Sequence, residues 1–326
     1  MNLQPLKTVW TACFDGLGVY DRRLRRAGAE HLWFIPFYHR ILDDDEQEPF
    51  DFGLGVSRRR FDQQLAFFRE RFHLCTVREA LEIQANGERP DRPLLSITFD
   101  DGYLDNIELA LPLLRRHGCP ATFFLCTGPI EGELPFWWDL VIAMAGRRDE
   151  PAWPQLLDKL GVAADAANPK GELETALGRL WQMPFDEIRT LLDYDACLHM
   201  DASADCPPRM DKSHLKDLLD HGMEIAAHTH HHPNLTKETD ETIRSEIVQS
   251  RSRLEAWTGE TVTGFATPHG FVDDRVKRIC AEEGLAYIAS TESGANRELL
   301  PYHLARFGAA DTGLSHLKRT LARTAA

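Results

Sequence analysis

The chain has 326 residues, of which 43% are hydrophobic and 27% are charged, and its formal net charge is −14. This composition is typical of a globular protein with enough residues for one large domain or two smaller ones. The acidic balance argues against a nucleic-acid partner, because no basic excess is available to neutralise phosphates. A glycan that is neutral, or that becomes cationic when its amines are freed, is compatible with this charge.

Two features bear on the cellular compartment. No apolar run approaches the roughly 18 residues that a membrane span requires, and the N-terminus lacks the pattern of a secretory signal. The seven cysteines are scattered without a Cys-x-x-Cys pair, and an odd number cannot all pair within one chain. We therefore expect reduced, mostly buried thiols and a cytoplasmic protein.

The N-terminal segment, residues 1–30, has two interpretations. Its arginine cluster at residues 22–26 follows five apolar residues, Val9, Trp10, Phe14, Leu17 and Val19. A peripheral membrane contact would have this pattern. Gly16 and Gly18 would interrupt a helix there, however, and a solvated charged face is the commoner explanation of such a cluster.

In the next part of the chain, residues 31–128, apolar runs alternate with amphipathic stretches. This alternation predicts β/α units around a mostly parallel sheet or barrel. The predicted elements are a strand over 33–38 that ends at His39, a helix around 61–68, a strand over 94–99, a helix over 106–116 that stops at Gly118, and a strand over 121–126.

The pattern changes over residues 129–212, where tryptophans and prolines lie among acidic, Ala- and Leu-rich segments. We interpret this stretch as a helical insertion or lid, because connections within a compact domain are usually much shorter. The β/α alternation resumes over residues 213–312, and residues 313–326 are expected to form a C-terminal helix or tail. The elements of this second part are a strand over 223–227, a helix over 238–257, a strand over 264–267, a helix over 273–283 and a strand over 285–289.

Two adjacent carboxylates, Asp100 and Asp101, end the apolar strand that precedes Gly102. Neighbouring side chains of a strand point to opposite faces, so both acids can serve one site only if the strand turns there, and Gly102 permits that turn. Adjacent acids raise each other's pKa unless a cation offsets the repulsion, which suggests a metal or a catalytic base. The alternative is an Asp-Asp-Gly turn that merely closes the strand.

A histidine cluster, residues 228–232 with the sequence HTHHH, also follows a short strand. His228 and His232 are four residues apart, so one turn brings both rings to one side. Together with Asp101 they make a plausible zinc-type set, and three protein ligands leave a position open for water, as in catalytic sites. His230 and His231 would point elsewhere. The alternative is a histidine-rich polar loop at the surface.

These motifs together resemble those of the polysaccharide deacetylase family, also known as the NodB-homology or carbohydrate esterase family 4 domain. Residues 98–102 (TFDDG) resemble its first motif, residues 228–233 (HTHHHP) resemble its second, and residues 265–270 (FATPHG) look like a degraded third motif. The segment that begins at Tyr38 resembles a bacterial branch associated with exopolysaccharide synthesis. The resemblance implies a distorted (β/α) barrel of the NodB-homology type, here with a helical insertion.

The resemblance also implies roles for individual residues. Asp100 would be the general base, while Asp101, His228 and His232 would hold a divalent metal, often Zn²⁺, with Co²⁺, Ni²⁺ or Mn²⁺ as alternatives. A backbone N–H, that of His269, would help to hold the oxyanion. A general acid would then protonate the leaving amine.

The third motif departs from the family pattern. The family often carries an arginine that contacts the catalytic aspartate, and Ala266 stands in that place. Loss of this cation should raise the pKa of Asp100. Arg306, from a later strand, is a hypothetical replacement for the missing charge.

Other candidate residues come from weaker patterns. His316, in the sequence Leu-Ser-His, matches the family's last motif, which supplies an acid, but it sits in an amphipathic helical pattern. His39, Pro268 and His269 are expected to line the sugar site. Trp138 would stack against a sugar ring, although paired tryptophans in a helical insertion are more often core.

The leading hypothesis is therefore a metal-dependent enzyme that releases acetate from N-acetylated amino sugars of a polysaccharide or a lipid-linked glycan precursor. One alternative is a metal-dependent hydrolase of a non-sugar amide on the same scaffold. Another is a non-catalytic glycan-binding relative, which would not need Asp100.

Overall fold

The computed structural model describes residues 15, 18–46, 50, 52–132, 135–193, 205–298 and 300–325. Four of the apolar residues behind the proposed membrane contact, Val9, Trp10, Phe14 and Leu17, lie outside these ranges. Among the described helices, none combines the length and the apolar character that crossing a bilayer requires. Five cysteines of the described part are free thiols, and all five are buried.

The described strands are short, as expected for β/α units. In chain order they are β1 (Trp33–Phe34), β2 (Pro36–Tyr38), β3 (Arg40–Leu42), β4 (Gly55–Ser57), β5 (His73–Leu74), β6 (Leu94–Leu95), β7 (Ile97–Asp101), β8 (Ala121–Leu125), β9 (Glu224–Ala227), β10 (Gly264–Ala266), β11 (Tyr287–Ala289) and β12 (Phe307–Gly308).

The α-helices of the described part lie mainly between these strands. They are α1 (Val19–Ala29), α2 (Arg58–Arg71), α3 (Val77–Ala85), α4 (Leu111–His117), α5 (Thr127–Ile130), α6 (Trp137–Gly146), α7 (Ala152–Leu160), α8 (Pro169–Leu180), α9 (Phe185–Leu192), α10 (Lys212–Asp220), α11 (Asp240–Thr258), α12 (Asp274–Glu282) and α13 (Leu314–Thr324).

Seven parallel strands form the main sheet, in the order β11-β10-β9-β8-β7-β2-β12. Every residue of β7 and β8 is buried, as expected for parallel strands that are covered on both faces. Because all seven strands run in one direction, their carboxyl ends meet at one edge. The segments that follow β2, β7, β8, β9 and β10 are therefore neighbours, and this edge carries the candidate site.

The predicted strands over 33–38 and 94–99 each divide into two. β1 and β6 pair with each other in a three-stranded sheet, whereas β2 and β7 pair in the main sheet. At the break, the Trp33 indole donates to the Ser96 hydroxyl, at 2.9 Å. The predicted helix over 106–116 also differs, because it begins with a π-helical segment, Asn106–Ala110, before α4 continues it to His117. The helix ends at Gly118, as predicted, and this glycine has the left-handed conformation.

In its described residues, the stretch predicted as an insertion contains the helices α6 to α9. Their apolar faces build a hydrophobic cluster of their own, which includes Trp137, Trp153 and Leu173. Tyr103 and Cys126, from loops after β7 and β8, also belong to this cluster. The helices thus pack over the edge of the sheet that carries the candidate site. The division of the chain at residues 129 and 212 stays a prediction.

Candidate metal and catalytic site

The acidic pair closes β7 with an unusual backbone. Asp100 and Asp101 are both almost fully buried. Asp101 itself has a φ of +76°, and Gly102 follows at +101°. The turn predicted at Gly102 therefore begins one residue earlier, and it lets both carboxylates serve one side of the sheet edge. Left-handed backbone at a residue other than glycine is uncommon and is often found at functional sites.

The histidine loop after β9 also contains residues with left-handed backbone. Thr229 and His232 have φ values of +68° and +60°, and the Thr229 hydroxyl accepts a hydrogen bond from the His232 N–H at 3.0 Å. This tight turn brings both predicted ligands to Asp101. Its Oδ1 atom lies 3.5 Å from His228 Nε2 and 3.3 Å from His232 Nε2.

These three side chains fit a divalent cation. Their ligand atoms all lie within 4.8 Å of one another, and the three residues are buried. Metal–ligand distances of about 2.1 Å in a tetrahedral site place ligand atoms about 3.4 Å apart, close to the separations seen here. Asp101 Oδ1 has no hydrogen-bond partner among the described residues, which is costly for a buried carboxylate unless a cation binds it. His228 Nδ1 lies 2.9 Å from the Ala266 carbonyl, which leaves Nε2 for a metal.

The electrostatics favour metal ligation at Asp101 and His232 and oppose it at His228. Burial acts to raise the pKa of Asp101, but the imidazoles of His228 and His232 beside it outweigh burial and hold that pKa well below its ordinary value. Burial lowers the pKa of His232. Burial also opposes protonation of His228, yet the aspartates beside it raise its pKa. Metal ligation needs a carboxylate and neutral imidazoles, so a cation that binds here must displace the proton that the aspartates favour on His228.

Arg306 meets Asp100 in a buried ion pair. Its Nη1 donates to Oδ1 at 2.7 Å and its Nη2 donates to Oδ2 at 2.8 Å. Burial acts to raise the pKa of Asp100, but the charge of Arg306 opposes it and the net pKa is lowered. With alanine at position 266, the pKa of Asp100 was expected to be raised. It is not raised, because Arg306, from outside the third motif, lies against the carboxylate.

His230 and His231 are held away from Asp101. The His230 ring contacts the Thr127 hydroxyl at 2.8 Å. The His231 ring lies 2.7 Å from Glu246 on α11 and stacks on Phe185 of α9. Glu246 also accepts from the backbone N–H groups of His230 and His231, at 2.8 and 2.9 Å. One buried carboxylate thus anchors the middle of the histidine loop.

His39 and His269 lie at the same edge, beside the trio. His39 follows β2, and its charge contributes to lowering the pKa values of Asp100 and Asp101. The His269 ring contacts His232 with a centroid separation of 4.6 Å, and its φ is +56°. Pro268 is buried in the short turn that carries His269. The structure brings these three predicted lining residues to the trio, and their contact with a sugar stays a proposal.

Trp138 does not present an open ring face. It is only 7% exposed, stacks on Phe136 with centroids 4.4 Å apart, and lies at the same separation from His232. Its indole N–H donates to the Tyr103 hydroxyl at 3.1 Å. This burial does not support the predicted sugar stacking. Trp138 instead packs against the histidine loop from the insertion side.

His316 is not brought to the cluster. It lies on the exposed side of α13, a helix that packs against α1 and α2, and burial with the charges of Arg319 and Arg323 lowers its pKa. The three-letter match that suggested an acid therefore belongs to an amphipathic helix. The prediction that His316 is a catalytic acid therefore needs correction. The Leu-Ser-His match does not show which side of the helix faces the core.

Sequence reasoning missed several residues at this site. Glu246 lies in a long helix whose pattern gives no sign that it contacts the histidine loop. Tyr103 and Asp139, joined by hydrogen bonds of 3.1 and 3.2 Å, connect the first motif to the insertion. The TFDDGY sequence places Tyr103 beside the motif, but nothing in the sequence identifies its partner in a different segment.

Comparison with known proteins agrees with the motifs. The chain matches the polysaccharide deacetylase family over residues 87–151 and 191–288. The Bacillus subtilis protein YxkH is 32% identical over 92 residues, which are 28% of this chain and 30% of that protein. A chitin deacetylase of Amylomyces rouxii is 33% identical over 67 residues, 21% of this chain and 16% of the relative. The aligned part of the chain thus spans less than a third of either curated relative.

Two solved structures share the fold along most of the chain. The deacetylase PplD of Streptococcus pyogenes, solved in complex with acetate, has 19% identity and a TM-score of 0.60, with 90% of this chain and 98% of that chain covered. IcaB from Ammonifex degensii has 17% identity and a TM-score of 0.59, with 90% and 97% covered. The predicted distorted (β/α) barrel is thereby confirmed. With its motifs at the carboxyl ends of the strands and its match over half its length, the chain belongs to the polysaccharide deacetylase family.

Proposed function

We propose that this protein is a metal-dependent hydrolase that removes acetyl groups from N-acetylated amino sugars. The observation that carries the proposal is that three candidate metal ligands, which leave a coordination position free, lie beside a carboxylate that is not one of them. Asp101, His228 and His232 converge on one point, while the neighbouring Asp100 is held by Arg306 and takes no part in that set. A site for structural metal binding alone would not need the second carboxylate.

Asp101, His228 and His232 are proposed to hold the cation. When bound, a divalent metal lowers the pKa of a water ligand and polarises a carbonyl oxygen. Zn²⁺ suits one carboxylate and two imidazoles, and Co²⁺, Ni²⁺ or Mn²⁺ would accept the same donors. The left-handed turns at Asp101 and His232 hold these donors in place before a substrate arrives.

Asp100 is proposed as the general base. Its lowered pKa keeps it ionised at neutral pH, so it is ready to accept a proton from the attacking water. Arg306 orients both of its oxygens, because the two hydrogen bonds leave the carboxylate no freedom to rotate.

The substrate contacts are proposed to come from the rim of the site. His39 and His269 lie on either side of the trio, on the loops after β2 and β10. An acetamide group is small and polar, and a neutral imidazole offers it one N–H donor and one ring-nitrogen acceptor. We propose that the natural substrate is an N-acetylated glycan, either as a polysaccharide or as a lipid-linked precursor.

The direct test measures acetate release from N-acetylglucosamine oligosaccharides. We expect release by the purified protein after loading with Zn²⁺, loss of release with a chelator, and recovery when metal is added back. Asp100→Asn should bind metal as tightly as the parent protein but release acetate at least about 100-fold more slowly. Failure to release acetate from any N-acetylated glycan, with the metal bound, would sink the proposal.

A further inference from the structure

One of the two candidate imidazole ligands lacks the hydrogen bond that usually orients such a ring. A histidine that binds a metal normally donates its second ring N–H to an acceptor, and this bond fixes the direction of the ring. His228 has such an acceptor, since its Nδ1 lies 2.9 Å from the Ala266 carbonyl. His232 Nδ1 is buried and has no hydrogen-bond partner among the described residues. Another kind of contact must therefore orient the His232 ring.

His232 is surrounded by other aromatic rings. The Trp138 ring lies 4.4 Å from it between centroids, and the His269 ring lies at 4.6 Å. The rings of His228 and Phe136 follow at 4.8 and 5.9 Å. Trp138 is tilted by 58° to the imidazole, and the other three rings meet it edge to face, at 74° to 89°. In a close-packed interior, a ring between such neighbours cannot turn without displacing them.

The closest of these rings, that of Trp138, is itself held in place. Its indole N–H donates to the Tyr103 hydroxyl at 3.1 Å, and that hydroxyl lies 3.1 and 3.2 Å from the two carboxyl oxygens of Asp139. Phe136 stacks on the indole with centroids 4.4 Å apart. Tyr103 follows the candidate ligand Asp101 by two residues. A connected set of contacts thus runs from the segment of one candidate ligand, through the insertion, to another.

We infer that Trp138 is a positioning residue for His232, and that its ring orients the imidazole for the metal where no hydrogen bond does so. Tyr103 holds the indole in that place. Helix α6, which carries Trp138, is then a part of the metal site and not only a cover over it. This inference rests on the metal site of the proposed function, but it does not depend on the reaction that the metal serves.

The first experiment measures metal binding without any substrate. Zn²⁺ affinity is determined by competition with a chromophoric chelator, and the visible absorption spectrum of the Co²⁺-loaded protein reports the arrangement of the ligands. Trp138→Phe keeps an aromatic ring but removes the indole N–H and part of the ring surface. We expect its Zn²⁺ affinity to fall about tenfold and its Co²⁺ spectrum to change, because His232 loses its fixed orientation.

Trp153→Phe is the matched control. Trp153 is buried in the same hydrophobic cluster, and its indole N–H donates to the Glu172 carboxylate at 2.7 Å. In the described part of the chain, it has no ring contact with His232. The substitution therefore removes the same groups from the same cluster, and it should leave the affinity and the spectrum unchanged. Affinity and spectrum like those of the parent protein in Trp138→Phe, or equal changes in Trp153→Phe, would overturn the inference.

Tyr103→Phe tests the second step, in which Tyr103 acts through Trp138. It removes one hydroxyl, so the indole keeps its ring contact with His232 but loses its hydrogen bond, and we expect Zn²⁺ affinity to fall about threefold. Trp138→Phe combined with Tyr103→Phe should bind Zn²⁺ as Trp138→Phe alone does, because two residues that act through one contact are not additive. Losses that add in the combined variant would refute the role of Tyr103.

Acetate release from N-acetylglucosamine oligosaccharides, measured on the same proteins, separates this inference from the proposed function. Weaker metal binding in Trp138→Phe than in Trp153→Phe supports the inference even if no protein releases acetate, in which case only the proposed reaction fails. Release by the parent protein, together with unchanged metal binding in Trp138→Phe, leaves the reaction standing and contradicts the inference. A parent protein that binds neither Zn²⁺ nor Co²⁺ also contradicts it.

Discussion

Arg306 and Asp100 form a two-pronged ion pair in the interior, with N–O distances of 2.7 and 2.8 Å, and Arg306 is fully buried. The Arg306 Nε also donates to the Ser290 carbonyl at 2.8 Å. The guanidinium thus has a fixed orientation where it meets the carboxylate. Arg306 thus supplies the positive charge that is missing at position 266, although it lies 40 residues further along the chain.

We expect Arg306→Met to lower the free energy of unfolding by about 3–5 kcal/mol, because it leaves the buried Asp100 carboxylate without a partner. Asp100→Leu combined with Arg306→Met should recover much of that loss, since neither charge then remains. Denaturant unfolding of the two variants measures both effects. Arg278→Met removes a surface arginine and should cost no more than about 1 kcal/mol. An Arg306→Met variant that loses no more stability than this control would contradict the account.

Glu246 is expected to act as a positioning residue for the histidine loop. Glu246→Gln loses at least one of the three hydrogen bonds that its carboxylate accepts from His230 and His231. We expect Zn²⁺ affinity to fall about 10- to 100-fold, as is usual when a group that orients metal ligands is altered. Glu241→Gln makes the same change at an exposed position of α11 and should leave the affinity unchanged. Unaltered affinity in Glu246→Gln would refute the role.

Metal binding is expected to stabilise the fold. At a free Zn²⁺ concentration about 100 times the dissociation constant, the free energy of unfolding should rise by about 2.7 kcal/mol. His232→Ala and Asp101→Asn should abolish this increase, because each removes one of the three converging donors. Thermal unfolding with and without metal measures the increase. An equal increase in the parent protein and in both variants would show that Zn²⁺ binds elsewhere.

Asp139 should make stability depend on pH. Burial raises its pKa to about 8, whereas the ordinary value is 3.8, and the charge of Asp101 adds to the increase while Tyr103 opposes it. The folded state therefore holds a proton that the unfolded state has released between about pH 4 and pH 8. The contribution of Asp139 to stability is fully present below about pH 4 and is lost as the pH rises through about 8, by at most about 1.4 kcal/mol per pH unit.

Asp139→Asn should remove this part of the pH dependence, because an amide does not titrate. Arg40 and Arg209, which oppose the increase, remain in place in the variant. Asp158→Asn, an exposed change on the neighbouring helix α7, is the control. The readout is the free energy of unfolding at about pH 5, 6, 7 and 8, within the window that the raised pKa defines. Parallel curves for the parent protein and Asp139→Asn would show that Asp139 is ionised throughout.

His316 offers a test of the corrected assignment. Since its side chain lies on the exposed side of α13, we expect His316→Ala to change the rate of acetate release less than about twofold. His39→Ala, at the sheet edge beside the trio, should reduce kcat/KM about tenfold or more through loss of a substrate contact. Acetate release by the two variants, measured under the same conditions, tests both expectations. A large loss in His316→Ala would restore the Leu-Ser-His match as a functional motif.

Much of the fold follows from local pattern. Alternating apolar and amphipathic stretches predict the strands around Phe99, Phe123 and Phe265 and the helices between them, because strand and helix have different periodicities. A parallel sheet brings the carboxyl ends of its strands to one edge. The acidic pair after β7 and the histidine pair after β9 can therefore be grouped from the sequence.

Other features depend on contacts that no local pattern encodes. The sequence shows a glycine after the acidic pair, but the left-handed turn begins at Asp101, where the surrounding packing holds the backbone. The continuous strand predicted over 33–38 divides because its two halves pair with different sheets. Local propensity cannot show such a division, since both halves are equally apolar.

The sequence by itself determined the alternation of the main strands and helices and the identity of the two chemical motifs. Tertiary structure alone decided which later residues join them. Arg306 reaches Asp100 because β12, which begins at the next residue, pairs with β2. Trp181 is exposed beside His269 while Trp138 is buried, although both are tryptophans of one insertion. Periodicity is a property of neighbouring residues, whereas burial and long-range pairing depend on how complete elements pack against each other.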